Sequence, residues 1–467
     1  MEYKLLINGE LVDGAGTMPV LNPATEEILA VCPTASEDQL NEAVTAAQSA
    51  FEKWKETSLD ERRAKLGEIA DIIDAHSDEL ARSLTQEQGK PLEEAMVEIS
   101  GAAMFFRYFQ SLDLPVEVLE DSETQRVEVH RNPLGVVGAI IPWNFPVFLM
   151  AFKLPAALLA GNSIVIKPAP TTPLTTLRFG ELIANVLPAG LVNIIADKND
   201  LGDKITTHKG ISKISFTGST ATGSRVLASA ASTLKRVTLE LGGNDAGIVM
   251  DDVDVEAVAP QIFDGAFGNN GQICIAMKRV YAHESIYDKL VDQLAGLAKE
   301  AAVGNGLEQG TKLGPLQNKM QFEKVKDYIE EGRADGTIVA GGEVPDGKGY
   351  FIPPTIVKDI DDESRLVKEE QFGPVLPVIK YDDIDDVIER ANDSDYGLGG
   401  SVWSSDTERA YEVAKKVDSG TIWVNKHADV QPHIPFGGIK TSGIGAELGE
   451  EGLAEFTARK VINVAKA

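Results

Sequence analysis

Between Pro133 and Glu240 short β-rich runs alternate with helical ones, and this alternation restricts the fold more than any other feature of the chain. Apolar, β-branched runs fall at 136–141, 164–167, 192–195, 211–216 and 237–239, with helical patterns at 147–160 and 174–186 between them. Strand, helix, strand in this order predicts a parallel, doubly wound sheet, because parallel neighbours are joined by crossovers that lay helices on the sheet faces. Ligands of such sheets bind beyond the carboxyl ends of the strands, so the residues that close each run are the first candidates for chemistry.

The chain ahead of this unit reads as mostly helical. Ser58 and Glu61 suit a capping box before Leu66, Ile69, Ile72, Ile73 and Leu80, which recur at helical spacing. Residues 116–130 are polar and alternate, as in an exposed hairpin, and an arm of this kind can pair with another subunit. After Glu240 a second α/β unit begins, with helices predicted at 285–302 and 319–332, strands near 376–379 and 420–424, and a domain boundary near 241–243. A chain of 467 residues is too long for one compact core, so two or three domains are expected.

Charge removes several functions. Forty-four Lys and Arg against 72 Asp and Glu leave a net charge of −28, which repels phosphate backbones and anionic lipid, so neither a nucleic-acid nor a membrane partner is expected. Residues 1–10 carry no basic segment followed by a long apolar one, and the apolar run 147–160 is interrupted by Lys153 and Pro155; a soluble, cytoplasmic protein is expected. Two cysteines, Cys32 and Cys274, cannot build a disulfide framework or a Cys-rich metal site, and the six histidines show no ligand spacing, so no metal is expected.

Four segments carry candidate chemistry. Cys274 follows a Gly-rich polar stretch, Phe267-Gly-Asn-Asn-Gly-Gln-Ile, where a backbone amide can face a reacting oxygen, although alone it also reads as a buried structural thiol. Glu240 closes the run 237–239 and puts a carboxylate at a strand end, and alone it equally reads as a capping or ion-paired surface residue. Asn144, between Pro142 and Pro146, can donate to a developing oxyanion or merely brace a rigid turn. The segment Phe216-Thr-Gly218-Ser219-Thr-Ala-Thr-Gly223 closes a strand and opens a helix, so its amides and the helix dipole can hold a pyrophosphate, although the spacing departs from GxGxxG.

Together the segments resemble the aldehyde dehydrogenase superfamily, from about Asn8 to the C-terminus. The signatures are PWNFP at 142–146, IVIKPAP at 164–170, FTGST at 216–220, LELGGND at 239–245, GQICIA at 271–276, EEQFGP at 369–374 and PFGG at 435–438. The resemblance implies an α/β architecture with an interrupted Rossmann-type cofactor domain over 1–113 and 132–241. It also implies a catalytic α/β domain over 242–441, a small β oligomerisation arm over 114–131 and 442–467, and a homodimer or homotetramer.

The same resemblance implies roles. Cys274 is the nucleophile, and the oxyanion is held by the Asn144 side chain and the Cys274 backbone N–H. Glu240 is the general base for thioester hydrolysis, and Lys153 and Glu447 match a pair that passes protons away from it, although both also read as helix-face charges. For the cofactor, Lys167 matches the lysine on the adenosine ribose, Glu370 the residue on the nicotinamide ribose, and Ser219 a pyrophosphate contact, with Gly218 and Gly223 in the same turn. Ile140, Ile141, Pro142, Trp143, Leu241 and Phe372 line the same cleft. Pro170 stands where many NAD-preferring members carry a glutamate, while Thr171 and Thr172 can donate to a 2′-phosphate, so NAD is the expected cofactor and NADP the alternative.

By the same alignment the aldehyde tunnel is lined by Phe145, Leu149, Phe152, Ile273, Ile275, Val430 and Phe436, with His433 near its mouth. This apolar, partly aromatic lining suits aliphatic or aromatic aldehydes. Two other readings compete. One is a CoA-acylating semialdehyde dehydrogenase, against which Glu240 argues; the other is a catalytically silent protein of the same fold, whose sign would be loss of Cys274, Glu240 or Asn144.

Overall fold

The computed structural model describes residues 2–466, so the outermost residues of the expected domains, Met1 and Ala467, lie outside the described residues. An eight-stranded sheet contains the expected doubly wound core. Its order is Gly443–Ile444, Arg236–Glu240, Lys213–Thr217, Val136–Ile140, Ser163–Lys167, Val192–Ile194, Leu5–Ile7, Glu10–Val12, and the five strands from Arg236–Glu240 to Val192–Ile194 are all parallel. Four of the five are buried along their whole length, as a sheet covered on both faces requires. The order of chain progression reverses between Val136–Ile140 and Lys213–Thr217, which is the switch point where such sheets open a crevice.

A second, seven-stranded sheet runs Thr337–Ala340, Thr355–Lys358, Val375–Tyr381, Met277–His283, Asp245–Val249, Gly399–Trp403, Thr421–Val424, parallel except at its first pair. Only four residues separate Glu240, at the end of one sheet, from Asp245, at the start of the other, so the site lies between two sheet edges.

A third sheet joins Glu117–Asp121 and Gln125–Pro133, an antiparallel hairpin, to Thr457–Ala465. It leaves Val118, Leu119, Val461 and Val464 exposed. Among the described residues no helix is long and apolar enough to cross a membrane, and no group of three or more His, Cys, Asp or Glu is placed to hold a metal ion.

Several expectations need correction. The N-terminal segment opens with four strands, Leu5–Ile7, Glu10–Val12, Gly16–Asn22 and Glu27–Thr34, before its first helix, Glu37–Trp54. Ser58 does accept from the Glu61 N–H at 3.2 Å, but the reciprocal bond of a capping box is formed by Ser36 and Gln39 instead. The Leu59–Ala75 helix stops at His76, so Leu80 belongs to a separate helix, Ser77–Gln88.

Candidate active site

Asn144 lies in the turn between the strand Val136–Ile140 and the helix Pro146–Leu159, whose first residue is a proline that needs no amide partner. The turn is held from below. The buried Lys90 ammonium donates to the Asn144 carbonyl at 2.9 Å and to Glu98 at 2.5 Å, and Asn269 donates to the same carbonyl at 3.2 Å. The other Glu98 oxygen accepts the N–H groups of Val147 and Phe148 at 2.9 and 3.2 Å, a carboxylate at a helix N-terminus. The Asn144 side-chain amide, buried, donates to the carbonyl of Gln272 at 3.0 Å, two residues ahead of Cys274.

Cys274 follows a coil in which Asn269, Asn270 and Gly271 all adopt left-handed backbone, a conformation that asparagine and glycine tolerate best. The coil is clamped: a Cβ at Gly271 would lie 2.4 Å from the Gly373 carbonyl oxygen, and one at Gly243 would lie 2.5 Å from that of Cys274. Cys274 is half-buried, unlike the fully buried Cys32, and among the described residues its backbone N–H has no partner. The Asn144 amide and this N–H are two donors of the kind that can hold an oxyanion. Burial pushes the Cys274 thiol up to about 12; Lys278 pulls it down, and the carboxylates of Glu240, Asp245 and Glu370 add to the rise.

Glu240 ends its strand beside Thr217 and is neither exposed nor ion-paired at contact distance: both carboxylate oxygens are buried without a hydrogen-bond partner. Burial, reinforced by Glu447 and opposed by Lys153, raises its carboxyl well above the usual range. Lys153 and Glu447 form a buried ion pair beneath the sheet, so the helix-face alternative is excluded. Lys153 also donates to Thr217 Oγ1 at 2.8 Å, and Glu447 accepts from Ser215 at 3.1 Å. Glu447 lies not in a helix but just ahead of the helix Gly449–Ala454.

The candidate cofactor residues Ser219 and Lys167 stand at strand ends on either side of the switch point. Ser219, which the resemblance gives as a pyrophosphate contact, caps the helix Thr220–Ala230, its hydroxyl accepting from the Thr222 N–H at 3.3 Å. Gly223 serves packing, since a Cβ there would meet Leu241 at 2.3 Å. Glu370 accepts from the Gly243 N–H at 3.0 Å, and the Trp143 and Phe372 rings meet edge to face with centroids 5.4 Å apart. Lys167 bonds to Asp197 at 2.7 Å, both buried, a partner the sequence did not suggest. The buried hydroxyls of Thr171 and Thr172 have no partner among the described residues. A helix N-terminus, unspent hydroxyls and an aromatic pair at a switch point fit a dinucleotide.

Of the tunnel residues, Phe145 packs under the Lys90 ammonium, 3.4 Å from ring centroid to Nζ, and Phe152 sits in a cluster with Phe105 and Phe148. Leu149, Ile275 and Phe436 are buried, and Ile273 and Val430 half-buried. His433 is exposed. The sequence reading missed buried His427, whose Nε2–H donates to the Ile275 carbonyl at 2.7 Å. Its Nδ1 accepts from Ser401 at 3.1 Å, and burial pulls its pKa down to about 4, which keeps the ring neutral. It also missed Lys90 and Glu98. The available signal was Glu98 falling on the apolar stripe of Ala95, Ile99, Ala102 and Phe106.

A family model described as the aldehyde dehydrogenase family matches residues 11–462. The mitochondrial aldehyde dehydrogenase of Leishmania tarentolae is 42% identical over 474 residues, covering 100% of this chain and 95% of the relative. The NAD+ complex of an aldehyde dehydrogenase from Bacillus cereus superposes with a TM-score of 0.97 at 40% identity, covering 100% of this chain and 97% of that one. A betaine aldehyde dehydrogenase from Staphylococcus aureus in complex with NAD+ gives 0.97 at 35% identity, covering 100% and 95%.

Proposed function

Because the chain belongs to the aldehyde dehydrogenase family, we propose that it oxidises an apolar aliphatic or aromatic aldehyde to the free carboxylic acid through a thioester on Cys274. The observation that carries this reading is Glu240: a buried carboxyl with neither oxygen engaged, raised in pKa, in the same cleft as the thiol. Structural glutamates bond; one held free is placed to take a proton.

In this reading the Cys274 thiol gives its proton to solvent and its sulfur attacks the aldehyde carbon, while Asn144 Nδ2 and the Cys274 N–H receive the oxygen as charge develops on it. NAD, when bound, supplies the hydride acceptor. Collapse of the tetrahedral adduct expels hydride and leaves a thioester. Glu240 then takes a proton from water as its oxygen attacks the thioester carbon, and the acid leaves as the Cys274 sulfur is freed. The buried Lys153–Glu447 pair, with Ser215 and Thr217, gives that proton a polar path away from Glu240.

NAD is the preferred cofactor. Both similar structures described above hold NAD+, and in this chain the Lys167 charge is already balanced by Asp197, which leaves it a weak site for a 2′-phosphate despite Pro170. The exposed apolar positions of the third sheet support pairing between subunits, as a homodimer or homotetramer.

The deciding experiment is Glu240→Gln with a panel of apolar aldehydes and NAD. The expected result is one equivalent of NADH in a rapid burst, almost no turnover, and an acyl group on Cys274 that hydroxylamine releases as a hydroxamate. Wild-type enzyme that forms product only when CoA is present would overturn the hydrolytic reading. Absence of any burst in the wild type would overturn the enzymatic one.

A further inference from the structure

Lys278 lies in the strand Met277–His283, four residues after Cys274, and is almost wholly buried. Its ammonium donates to three carbonyls of the turn that carries the thiol: Ile273 at 2.9 Å, Cys274 at 2.7 Å and Ala276 at 3.4 Å. The Ala276 N–H closes the same turn onto the Ile273 carbonyl at 3.1 Å. The Cys274 carbonyl is thereby held between an ammonium on one side and the Cα of Gly243 on the other.

The hydrogen bonds of Lys278 are satisfied, but its charge is not neutralised at contact. The nearest carboxylate, Glu370, is 3.9 Å away and is already bonded to the Gly243 N–H. A buried charge costs several kcal/mol unless it is paired at contact. A neutral side-chain amide could serve two of these carbonyls without that cost, so hydrogen bonding alone does not account for a lysine.

The other charged groups that act most strongly on the thiol are all negative. Glu240, Asp245 and Glu370 all oppose ionisation of the thiol, and His427, on the Ile275 carbonyl, is neutral; Lys278 is the group that favours it. We infer that Lys278 is the positioning residue of the Cys274 nucleophile: its ammonium fixes the turn that aims the sulfur and supplies the positive charge that a thiolate there requires. This inference rests on the reading of Cys274 as nucleophile given above.

The test is the rate at which iodoacetamide alkylates Cys274 in the full-length protein between pH 6 and 10, without aldehyde or cofactor, compared among wild type, Lys278→Gln and Lys278→Arg. Lys278→Gln keeps a donor and removes the charge, and Lys278→Arg keeps the charge. The expected result is that Lys278→Gln slows alkylation about tenfold at each pH, equivalent to a profile displaced by about one unit to the alkaline side. Lys278→Arg should stay within about threefold of wild type, a tolerance set well inside that tenfold step. Alkylation of Lys278→Gln at the wild-type rate, or equal slowing in both variants, would overturn the inference. Far-UV circular dichroism and quenching of tryptophan fluorescence by NAD verify that each variant is folded. Peptide mapping keeps the underlying reading separate: if wild-type protein labelled at Cys274 still oxidises aldehyde, the nucleophile assignment fails, whatever Lys278 does.

Discussion

Breaking the Lys90–Glu98 pair should weaken the fold more than deleting it. Both side chains are fully buried and 2.5 Å apart. In Glu98→Gln the amide oxygen still accepts from Val147 and Phe148, but an NH2 group now faces the ammonium, which keeps only the Asn144 carbonyl and the Phe145 ring. An uncompensated buried charge of this kind costs about 3–5 kcal/mol. For a unit of some 200 residues that corresponds to a fall of roughly 10 °C in melting temperature. Lys90→Met leaves a buried carboxylate with two N–H partners, a loss of the same order. The double variant Lys90→Met/Glu98→Gln carries no buried charge and leaves one unsatisfied amide, costing about 1–3 kcal/mol. The double variant is therefore expected to melt above either single one in differential scanning fluorimetry. Burial already lowers the Lys90 pKa, so in Glu98→Gln the ammonium can shed its proton and the penalty should shrink from pH 7 to pH 9. A double variant that melts at or below the singles would refute the argument from buried charge.

Two further outcomes follow. Asn144→Ala removes one oxyanion donor, so kcat should fall by about 10²–10³ while alkylation by iodoacetamide, which places no charge on a carbonyl oxygen, stays within about twofold; equal losses in both assays would sink this role. Glu87, fully buried against the N–H groups of Leu174 and Thr175, has its pKa raised to about 7. A raised carboxyl gives stability that is complete below the unfolded value near 4.3 and lost as pH climbs through 7, so Glu87→Gln should gain on wild type by at most about 3 kcal/mol between pH 5 and pH 8. A melting-temperature difference that is flat across this range would contradict it.

The doubly wound half of the fold was legible because its strands are apolar, β-branched and covered on both faces, so sequence and environment agree. Glu240, Asn144 and Ser219 were legible for a related reason: each closes or follows a strand at the sheet's carboxyl edge. The second sheet hid its strands. Asp245–Val249, Met277–His283 and Gly399–Trp403 carry Asp, Lys, Arg and paired Gly at buried positions. Arg279 illustrates why: it is satisfied by the carbonyls of Asn244 and Ala391, which no local pattern contains. The strand Lys213–Thr217 misleads differently. Lys213, Ser215 and Thr217 alternate with Ile214 and Phe216 as if one face met water, yet every residue is buried. The polar face is covered by Lys153, Glu447 and, near Lys213, Glu455.

The walls of the cleft differ in how much change they can absorb. Around the thiol the backbone is packed so closely that a single methyl group at Gly243 or Gly271 would strike a carbonyl oxygen. In the proposed reading the outer wall is the loop that carries Val430, which is half-buried, and residues 433–435, which are exposed. On the proposed reading, change in that loop would alter which aldehydes enter while the packed wall keeps Asn144, Glu240 and Cys274 in place, so duplicated copies of such a chain could diverge in diet with their chemistry frozen.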